Sequence, residues 1–286
     1  MNKKEIKALI HLLDDPDTEI SDVVTGNLKE LGIDIIPELE SAWESTMDLH
    51  YQEKIENIIQ EIQAGNVKKN LTTWRESGSR DLLEGVFWVA KYQYPDLEIG
   101  QIRKQIDRIS GDIWLELNNR LTALEKVRII NHILFDVHKF SRNNRNFYAP
   151  GNSFINLLLE SKKGNPVSLA ILYILVAKNL SLPIYGINLP KIFILAYMDE
   201  YEDDKRRTSP QQALFYINPY HSGAVLGKRE IDHYLAHHKI KIRESFFTPF
   251  TNEEIIKRLL LNLTLSYEKL GYPERLKDLR EFLKVL

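Results

Sequence analysis

The 286-residue sequence contains no cysteine. This absence excludes disulfide bonds, cysteine-ligated metal sites and every mechanism that uses a thiolate nucleophile. Apolar runs that could span a bilayer without a charged residue are also missing, and the opening MNKKEIKALIHLLDDPD does not have the pattern of a secretory signal. We therefore expect a soluble, cytoplasmic protein that has no membrane partner.

The sequence also lacks an overall excess of charge of either sign. Lysine and arginine number 38 against 40 aspartates and glutamates, a net charge of −2. Binding to the phosphates of a nucleic acid needs a strongly basic surface, so we expect no nucleic-acid partner. Apolar residues make up 43% of the chain, which is enough for one large or two ordinary domains with a hydrophobic core.

Charge is unevenly distributed along the chain. Residues 1–66 hold 5 basic and 15 acidic side chains, which leaves 33 and 25 for residues 67–286. In the acidic segment, apolar residues recur every three or four positions and predict short helices, two of them joined by the turn DDPD at 14–17. The pattern resembles a HEAT-type repeat, and a plain helical cap would fit it equally well. Residues 67–80, polar and containing glycine, are interpreted as a linker.

The remaining sequence predicts an α+β domain that is predominantly helical, over residues 81–250. Amphipathic helical stretches come first, and short runs of β-branched and aromatic residues bounded by prolines then predict a small sheet. The charged stretch 199–212 lies between two of these predicted strands and is interpreted as a solvated loop that could cover a cleft. Residues 251–286 predict a C-terminal pair of helices.

Several motifs, in a fixed order, point to a known family. The sequence reads NSFINLLLESKKGNPVSL from Asn152, SLPIYGINLPKIF from Ser181 and NPYHSG from Asn218. These motifs resemble those of the SirB family of transglutaminase-like proteins, and the resemblance covers about residues 81–225. The matching residues are Asn152, Ser153, Asn156, Glu160, Gly164, Pro166, Ser168, Leu169, Tyr173, Pro183, Gly186, Leu189, Pro190, Phe193, Asn218, Pro219 and Gly223.

The resemblance implies a papain-like or transglutaminase-like core, in which a central helix packs on an antiparallel sheet. In catalytic members of that superfamily a cysteine opens the helix, and a histidine and an aspartate come from two adjacent strands. The helix dipole favours the thiolate, the histidine shares its proton, and the aspartate orients the imidazole. The closing helices of the chain resemble the tetratricopeptide-like tail that is often attached to SirB-type proteins.

The three triad positions carry other residues in this sequence. The resemblance places Pro166 at the nucleophile position, Ile192 at the general-base position and Asn218 at the aspartate position. Proline and isoleucine cannot exchange a proton, and asparagine can hydrogen-bond without supplying charge. The leading hypothesis is therefore a pseudoenzyme that serves as a protein-interaction or regulatory module and needs no cofactor.

The partner expected for such a module is a protein. Because residues 1–66 are acidic, they would favour a basic partner, or would contact the basic remainder of this chain.

Two alternative functions remain open. Ser168 lies two positions after the lost nucleophile and could replace it, with His221 as its base, in a cryptic hydrolase or amidase. A serine at the start of a helix is, however, more often a capping residue. The vacated cleft could instead bind a small molecule.

Other polar residues have both a structural and a functional interpretation. His233 and His237 are spaced by one helical turn, which suits a metal site or the solvated end of an amphipathic helix. Asn152, Asn156 and Glu160 also recur at intervals of four positions, and they predict either a structural network or a residual ligand pocket. The residues assigned to the cleft or its support are Asn152, Asn156, Glu160, Gly164, Ser168, Tyr173, Pro190 and Phe193.

Overall fold

The computed structural model describes residues 3–15, 17–199 and 213–286 of the chain. The loop predicted over 199–212 lies outside these residues, except for its first position. Within the described ranges, no helix is both long and apolar enough to cross a membrane.

The chain begins with a layer of helices. These are α1 (Lys3–His11), α2 (Thr18–Leu31), α3 (Ile36–Ser45) and the long α4 (Leu49–Glu76). Some of the acidic residues cap them: Asp17 accepts a hydrogen bond from the backbone of Glu19, and Asp48 accepts one from His50. We call α1 to α3 with residues 49–62 of α4 the N-terminal layer. Its predicted helices are present, and its likeness to a HEAT repeat stays a prediction.

Helix α4 belongs to two hydrophobic cores. Residues such as Ile55 and Ile62 pack inside the N-terminal layer, whereas Val67, Leu71 and Trp74 pack in the core of the main domain. The predicted linker over 67–80 is therefore wrong for residues 67–76. The apolar residues here have helical spacing, but the polar residues between them made the segment look like a linker. Helix α4 continues to Glu76, and the turn begins at Ser77.

The main domain starts with helices and reaches its sheet through a central helix. Its elements are α5 (Leu82–Lys91), α6 (Ile99–Trp114), α7 (Ala123–Asn131) with a π-helical extension to Val137, β1 (Ser141–Arg142), α8 (Ile155–Ser161), β2 (Lys163–Gly164), α9 (Pro166–Asn179), β3 (Ile184–Leu189), β4 (Ile192–Met198), β5 (Ala213–Asn218), β6 (Ala224–Leu226), α10 (Lys228–His237), α11 (Asn252–Leu270) and α12 (Pro273–Val285). The predicted α+β, predominantly helical fold is confirmed.

The four strands from β3 to β6 form one antiparallel sheet in sequential order. Side chains alternate between its two faces. On β4, Phe193 and Leu195 point to the face that α9 covers, whereas Ile194 and Ala196 point to the face that α10 covers. Helix α9 is buried from residue 167 to residue 177, all the way around its circumference. It is the predicted central helix on a small sheet.

The C-terminal helices α11 and α12 pack into the same core as α9. Buried residues of both, such as Leu263 and Phe282, belong to that core. Helix α12 also contacts α4, where Lys68 lies 2.8 Å from Glu281. The Tyr92 hydroxyl donates a hydrogen bond to Asp278 at 2.7 Å. The C-terminal pair is thus an integral part of the main domain.

The contact between α4 and α12 predicts an unusual titration. Hydrogen bonds from Lys284 and Lys68 lower the pKa of Glu281 from 4.5 to about 2. We expect Lys68→Met to raise the pKa of Glu281. Lys284→Met alone should raise this pKa by a larger amount, because the hydrogen bond from Lys284 is the larger cause of its lowering. Carboxyl-carbon NMR shifts recorded against pH measure this directly. Lys69→Met, at an exposed neighbouring position, is the matched control and should leave the titration unchanged.

The sign of the effect on stability follows from the lowered pKa. The folded carboxyl titrates below its unfolded value, so its contribution is present above about pH 4.5 and is lost as the pH falls toward 2. Both side chains of the Lys68–Glu281 pair are more than a third exposed, and the contribution is accordingly small. An unchanged Glu281 titration in Lys68→Met would contradict the contact.

Candidate functional site

The N-terminus of α9 is closed by its own residues. The side-chain oxygen of Asn165 accepts hydrogen bonds from the backbone N–H groups of Val167 (3.0 Å) and Ser168 (2.9 Å). Pro166 has no N–H group, and the N–H of Leu169 bonds to the carbonyl of Asn165 at 3.1 Å. All four positions of the first turn are therefore accounted for, and none offers a free donor that could stabilise an oxyanion.

Ser168 completes this cap. Its Oγ accepts a hydrogen bond from the backbone of Asn165 at 3.0 Å and lies 3.3 Å from the Asn165 carbonyl oxygen. The residue is 2% exposed, and the Asn165 side chain also donates to Ser153 at 2.8 Å. His221 is exposed, contacts the ring of Tyr220, and makes no hydrogen bond to Ser168. The geometry favours the structural role of Ser168 over a nucleophilic one.

Gly164 is required by the close packing around this cap. A Cβ atom there would lie 2.6 Å from Ser168 Oγ and 2.8 Å from Leu158 Cδ1. Both distances are shorter than real Cβ contacts, so only glycine fits without displacement.

The strand that follows the Pro190 turn places the two motif residues Ile192 and Phe193 on opposite faces. Ile192 packs on the α10 side of the sheet, and Phe193 packs on the α9 side. Pro190 and Lys191 form the turn between β3 and β4, and the carbonyl of Pro190 accepts a hydrogen bond from Tyr234 at 3.1 Å. The side chain that faces Pro166 from this strand is therefore Phe193, and Ile192 is directed elsewhere.

Asn218 ends β5, and its backbone carbonyl accepts a hydrogen bond from Gly223 at 3.0 Å. Gly223 has φ +73°, and a Cβ there would overlap the side chain of Asn131. Asn131 donates to the Gly223 carbonyl at 2.7 Å and accepts from the Tyr173 hydroxyl at 3.1 Å. Burial raises the pKa of Tyr173 well above its ordinary value, so the hydroxyl keeps its proton. Asn131 on α7 thus links Gly223, beyond the end of β5, to Tyr173 on α9.

The polar residues at intervals of four have different environments. Asn152 is 4% exposed, accepts a hydrogen bond from Asn143 (2.9 Å) and donates to the carbonyl of Asn146 (2.7 Å). Asn156 has a buried side-chain oxygen with no partner, and Glu160 is exposed. The structure does not join the three in one network: Asn152 supports the loop before the central helix.

The histidine pair does not assemble a metal site. His233 and His237 lie on α10 and are both exposed. Across the part of the chain that the structure describes, no group of three or more histidine, aspartate or glutamate side chains could hold a metal ion.

A cavity of about 90 Å³ lies beside Pro166 and Phe193. Within the described ranges, no histidine and no carboxylate occurs among its lining residues. They are Phe147, Tyr148, Asn165, Pro166, Val167, Lys191, Phe193, Arg258, Asn262, Leu265 and Ser266. Of the three predicted triad positions only Pro166 lines this cavity, and Ile192 and Asn218 do not.

Sequence reasoning missed the contribution of α11 to this cavity. Arg258 and Asn262 lie one turn apart on that helix and both line the cavity. Arg258 Nε is buried without a hydrogen-bond partner, and burial lowers the pKa of the guanidinium. The available signal was an arginine beside the apolar residues Ile255 and Leu259, which is common on amphipathic helices and so did not stand out.

The tight packing at Gly164 gives a prediction about stability. Gly164→Ala should lower the free energy of unfolding by about 1–3 kcal/mol, because the added methyl overpacks against Ser168 and Leu158. Chemical denaturation measures the change. Gly65→Ala is the matched control: it lies exposed in α4 with open space around it, and should raise stability by about 0.5–1 kcal/mol. Equal effects at the two positions would contradict the described packing.

Comparison with known proteins places this geometry in a family. The sequence pattern of the transglutaminase-like superfamily matches residues 100–261, which run from α6 into α11. A UPF0162 protein of Xylella fastidiosa is 24% identical over 192 residues, 65% of this chain and 64% of that protein. A UPF0162 protein of Vibrio cholerae is 23% identical, over 70% of this chain and 72% of its own length.

A longer relative is human F-box only protein 21, which is 23% identical over 70% of this chain and 35% of its own length. The chain spans less than two thirds of the Xylella relative, at 64%. No solved structure matches the chain. The family pattern covers more than half of the sequence and includes the central helix and the sheet, so the chain belongs to the transglutaminase-like superfamily.

Proposed function

We propose that this chain is a non-catalytic transglutaminase-like protein that acts as a protein-interaction or regulatory module. The observation that carries the proposal is the first turn of α9. There Pro166 occupies the position expected for the nucleophile, in a chain with no cysteine. A proline at the first helical position stabilises the helix and has no reactive group.

Two further features of the same site support the proposal. Among the described residues, neither a histidine nor a carboxylate lines the cavity beside Pro166, so none of them offers a general base at the helix end. The N–H groups of the first turn are bonded to Asn165 and cannot stabilise a tetrahedral intermediate. Nucleophile, base and oxyanion donors are thus each replaced.

The length of one relative agrees with a modular role. F-box only protein 21 matches this chain over 35% of its length, so the similar region is one part of a longer protein there. A unit that occurs within a larger chain and has no reactive groups is suited to binding and positioning other components.

The proposal predicts an inert protein. Purified full-length protein should give no turnover above buffer in amidase, protease and amine-transfer assays, and a serine-directed phosphonate should not label it. Ser168→Ala should leave this baseline unchanged and lower the free energy of unfolding by about 0.5–2 kcal/mol, because it removes half of the capping box.

The same assays distinguish the hydrolase alternative. Turnover or labelling that Ser168→Ala and His221→Ala both abolish would establish a serine-dependent hydrolase in place of the proposed function. Turnover that survives both substitutions would also refute the proposal, since it would require another catalytic group.

The N-terminal layer is the surface that we propose contacts a partner. Two ion pairs of its carboxylates, Lys3–Glu38 and Lys29–Glu61, remain inside the layer. The exposed acids on α2 and α3, such as Asp22 and Glu44, make no ion pair within the described residues. This leaves a negative field at the surface, which favours a basic protein partner over the chain's own basic remainder.

Neutralising that surface should reduce partner capture in a salt-dependent way. The full-length variant carries Asp22→Asn, Glu30→Gln, Glu40→Gln and Glu44→Gln. We expect it to lose basic proteins that the parent chain retains from a lysate at low ionic strength, because rim charges act mainly through long-range attraction. Quantitative mass spectrometry of the bound fractions measures the difference.

The control neutralises four exposed acids of the main domain. It carries Asp96→Asn, Glu116→Gln, Glu244→Gln and Glu268→Gln, which change the net charge equally. Identical losses in the two variants would show that total charge matters and would remove the N-terminal layer from the proposal.

A further inference from the structure

The cavity beside Pro166 is lined by a cationic residue, Arg258, that has no ion-pair partner among the described residues. Arg258 projects from α11 into the lining, and its Nε is buried with no hydrogen-bond partner. The side chain makes no hydrogen bond or ion pair within the described part of the chain. The acid one turn earlier on α11, Glu254, is occupied by its own capping box with Thr251. Arg258 as a whole is half-buried, and its buried Nε–H has lost hydration without gaining a protein acceptor, which is destabilising.

Two more donors reach the same cavity without partners of their own. Lys191, which is exposed, and Asn262, which is half-buried, both line the cavity, and their side chains make no hydrogen bond within the described ranges. Asn165, by contrast, is fully used by Ser153 and the first turn of α9. The free donors therefore come from α11 and from the turn between β3 and β4, and the end of α9 contributes none.

The charge and size of the cavity limit what it can hold. In the part of the chain that the structure describes, the lining includes two cationic residues and no acidic one. The volume is about 90 Å³, whereas a cavity of about 150 Å³ can hold a benzene molecule. A carboxylate and its first substituent atoms fit this space, and the rest of a larger ligand must lie outside it.

The rim of the cavity is apolar. Phe147, Tyr148 and Leu265 line it and are 46%, 48% and 51% exposed. The Phe147 and Tyr148 rings meet edge to face with centroids 5.1 Å apart, which holds them in a defined orientation. Exposed aromatic surface beside unpartnered hydrogen-bond donors suits an anionic group carried on an apolar body.

We propose that this cavity binds the carboxylate of a ligand whose neighbouring part is apolar. The carboxylate accepts hydrogen bonds from Arg258, Lys191 and Asn262, and the apolar part packs on Phe147, Tyr148 and Leu265. A planar carboxylate matches the geometry of a guanidinium better than a point charge does. The inference deepens the proposed function and rests on it, since the ligand is held and not converted.

The shared chemistry has two sources, a free organic acid and the C-terminus of a peptide. The probes are therefore phenylacetate, N-acetylphenylalanine and N-acetylphenylalaninamide, titrated into the full-length protein by calorimetry. We expect phenylacetate or N-acetylphenylalanine to bind with a Kd below about 1 mM, and the amide, which has no charge, to bind at least tenfold more weakly. Preference for phenylacetate identifies a free acid, and preference for N-acetylphenylalanine identifies a peptide C-terminus.

Substitution of Arg258 separates binding from structure. Arg258→Met should weaken carboxylate binding at least tenfold, because it removes a charged donor. It should leave Tm equal to or above that of the parent, because it also removes a buried N–H group that has no acceptor. Lys257→Gln is the matched control: it changes the adjacent cation, which pairs with Glu253 outside the cavity, and should leave binding unchanged.

Several results would overturn the carboxylate site. Binding of neither acid, equal binding of the acid and the amide, unchanged affinity in Arg258→Met, or tighter binding of inorganic phosphate would each do so. A Tm well below the parent in Arg258→Met would show that the residue is structural. These failures leave the proposed function standing, whereas conversion of a bound probe to a product, followed by NMR, would refute the proposed function itself.

Discussion

The enclosed central helix α9 is the constraint on which the other parts of the structure depend. Because it is apolar around its whole circumference, it needs cover on every side, and the sheet, α6 and α11 supply it. Its first turn is buried as well, so water cannot satisfy the N–H groups there. Asn165 and Ser168 perform that task, and Gly164 leaves the room they need. The family motif around residue 165 is thus explained by the packing of one helix end.

This cap changes the electrostatics of the place where the superfamily keeps its chemistry. In an active member, the partial positive charge of the helix end stabilises a thiolate. Here the amide oxygen of Asn165 takes up two of the N–H groups that create that charge. The cationic residues that line the adjoining cavity lie on other elements: Lys191 in the turn between β3 and β4, and Arg258 on α11. Under the proposed function, the cationic side chains that line this cavity take the place of the helix end as its source of positive charge.

The sequence predicted the elements better than their relations in space. Periodicity identified the helices and strands because their apolar faces are long and regular. It failed at residues 67–76, where Val67, Leu71 and Trp74 pack in a second core that only the folded chain reveals. It also could not tell that Phe193 and not Ile192 faces the central helix, since pairing register decides that. Arg258 was missed for the same reason: its importance lies in the absence of a partner, a property of tertiary packing.

In the proposed non-catalytic function, the residues at the three triad positions are physically linked. Members of a triad act as a unit, so removal of one leaves the rest with little effect on rate. Once the nucleophile position holds Pro166, a base facing it would be a buried titratable group with no task, and such a group is destabilising. An aromatic ring such as Phe193 packs better there and contributes apolar burial. Under the proposed function, an apolar side chain facing Pro166 from β4 is therefore the physically expected consequence of a proline at the nucleophile position. Arg258 does not follow this trend, because it keeps a charged side chain with a buried, unpartnered Nε beside this cavity, and the proposed carboxylate ligand gives a physical reason for that difference.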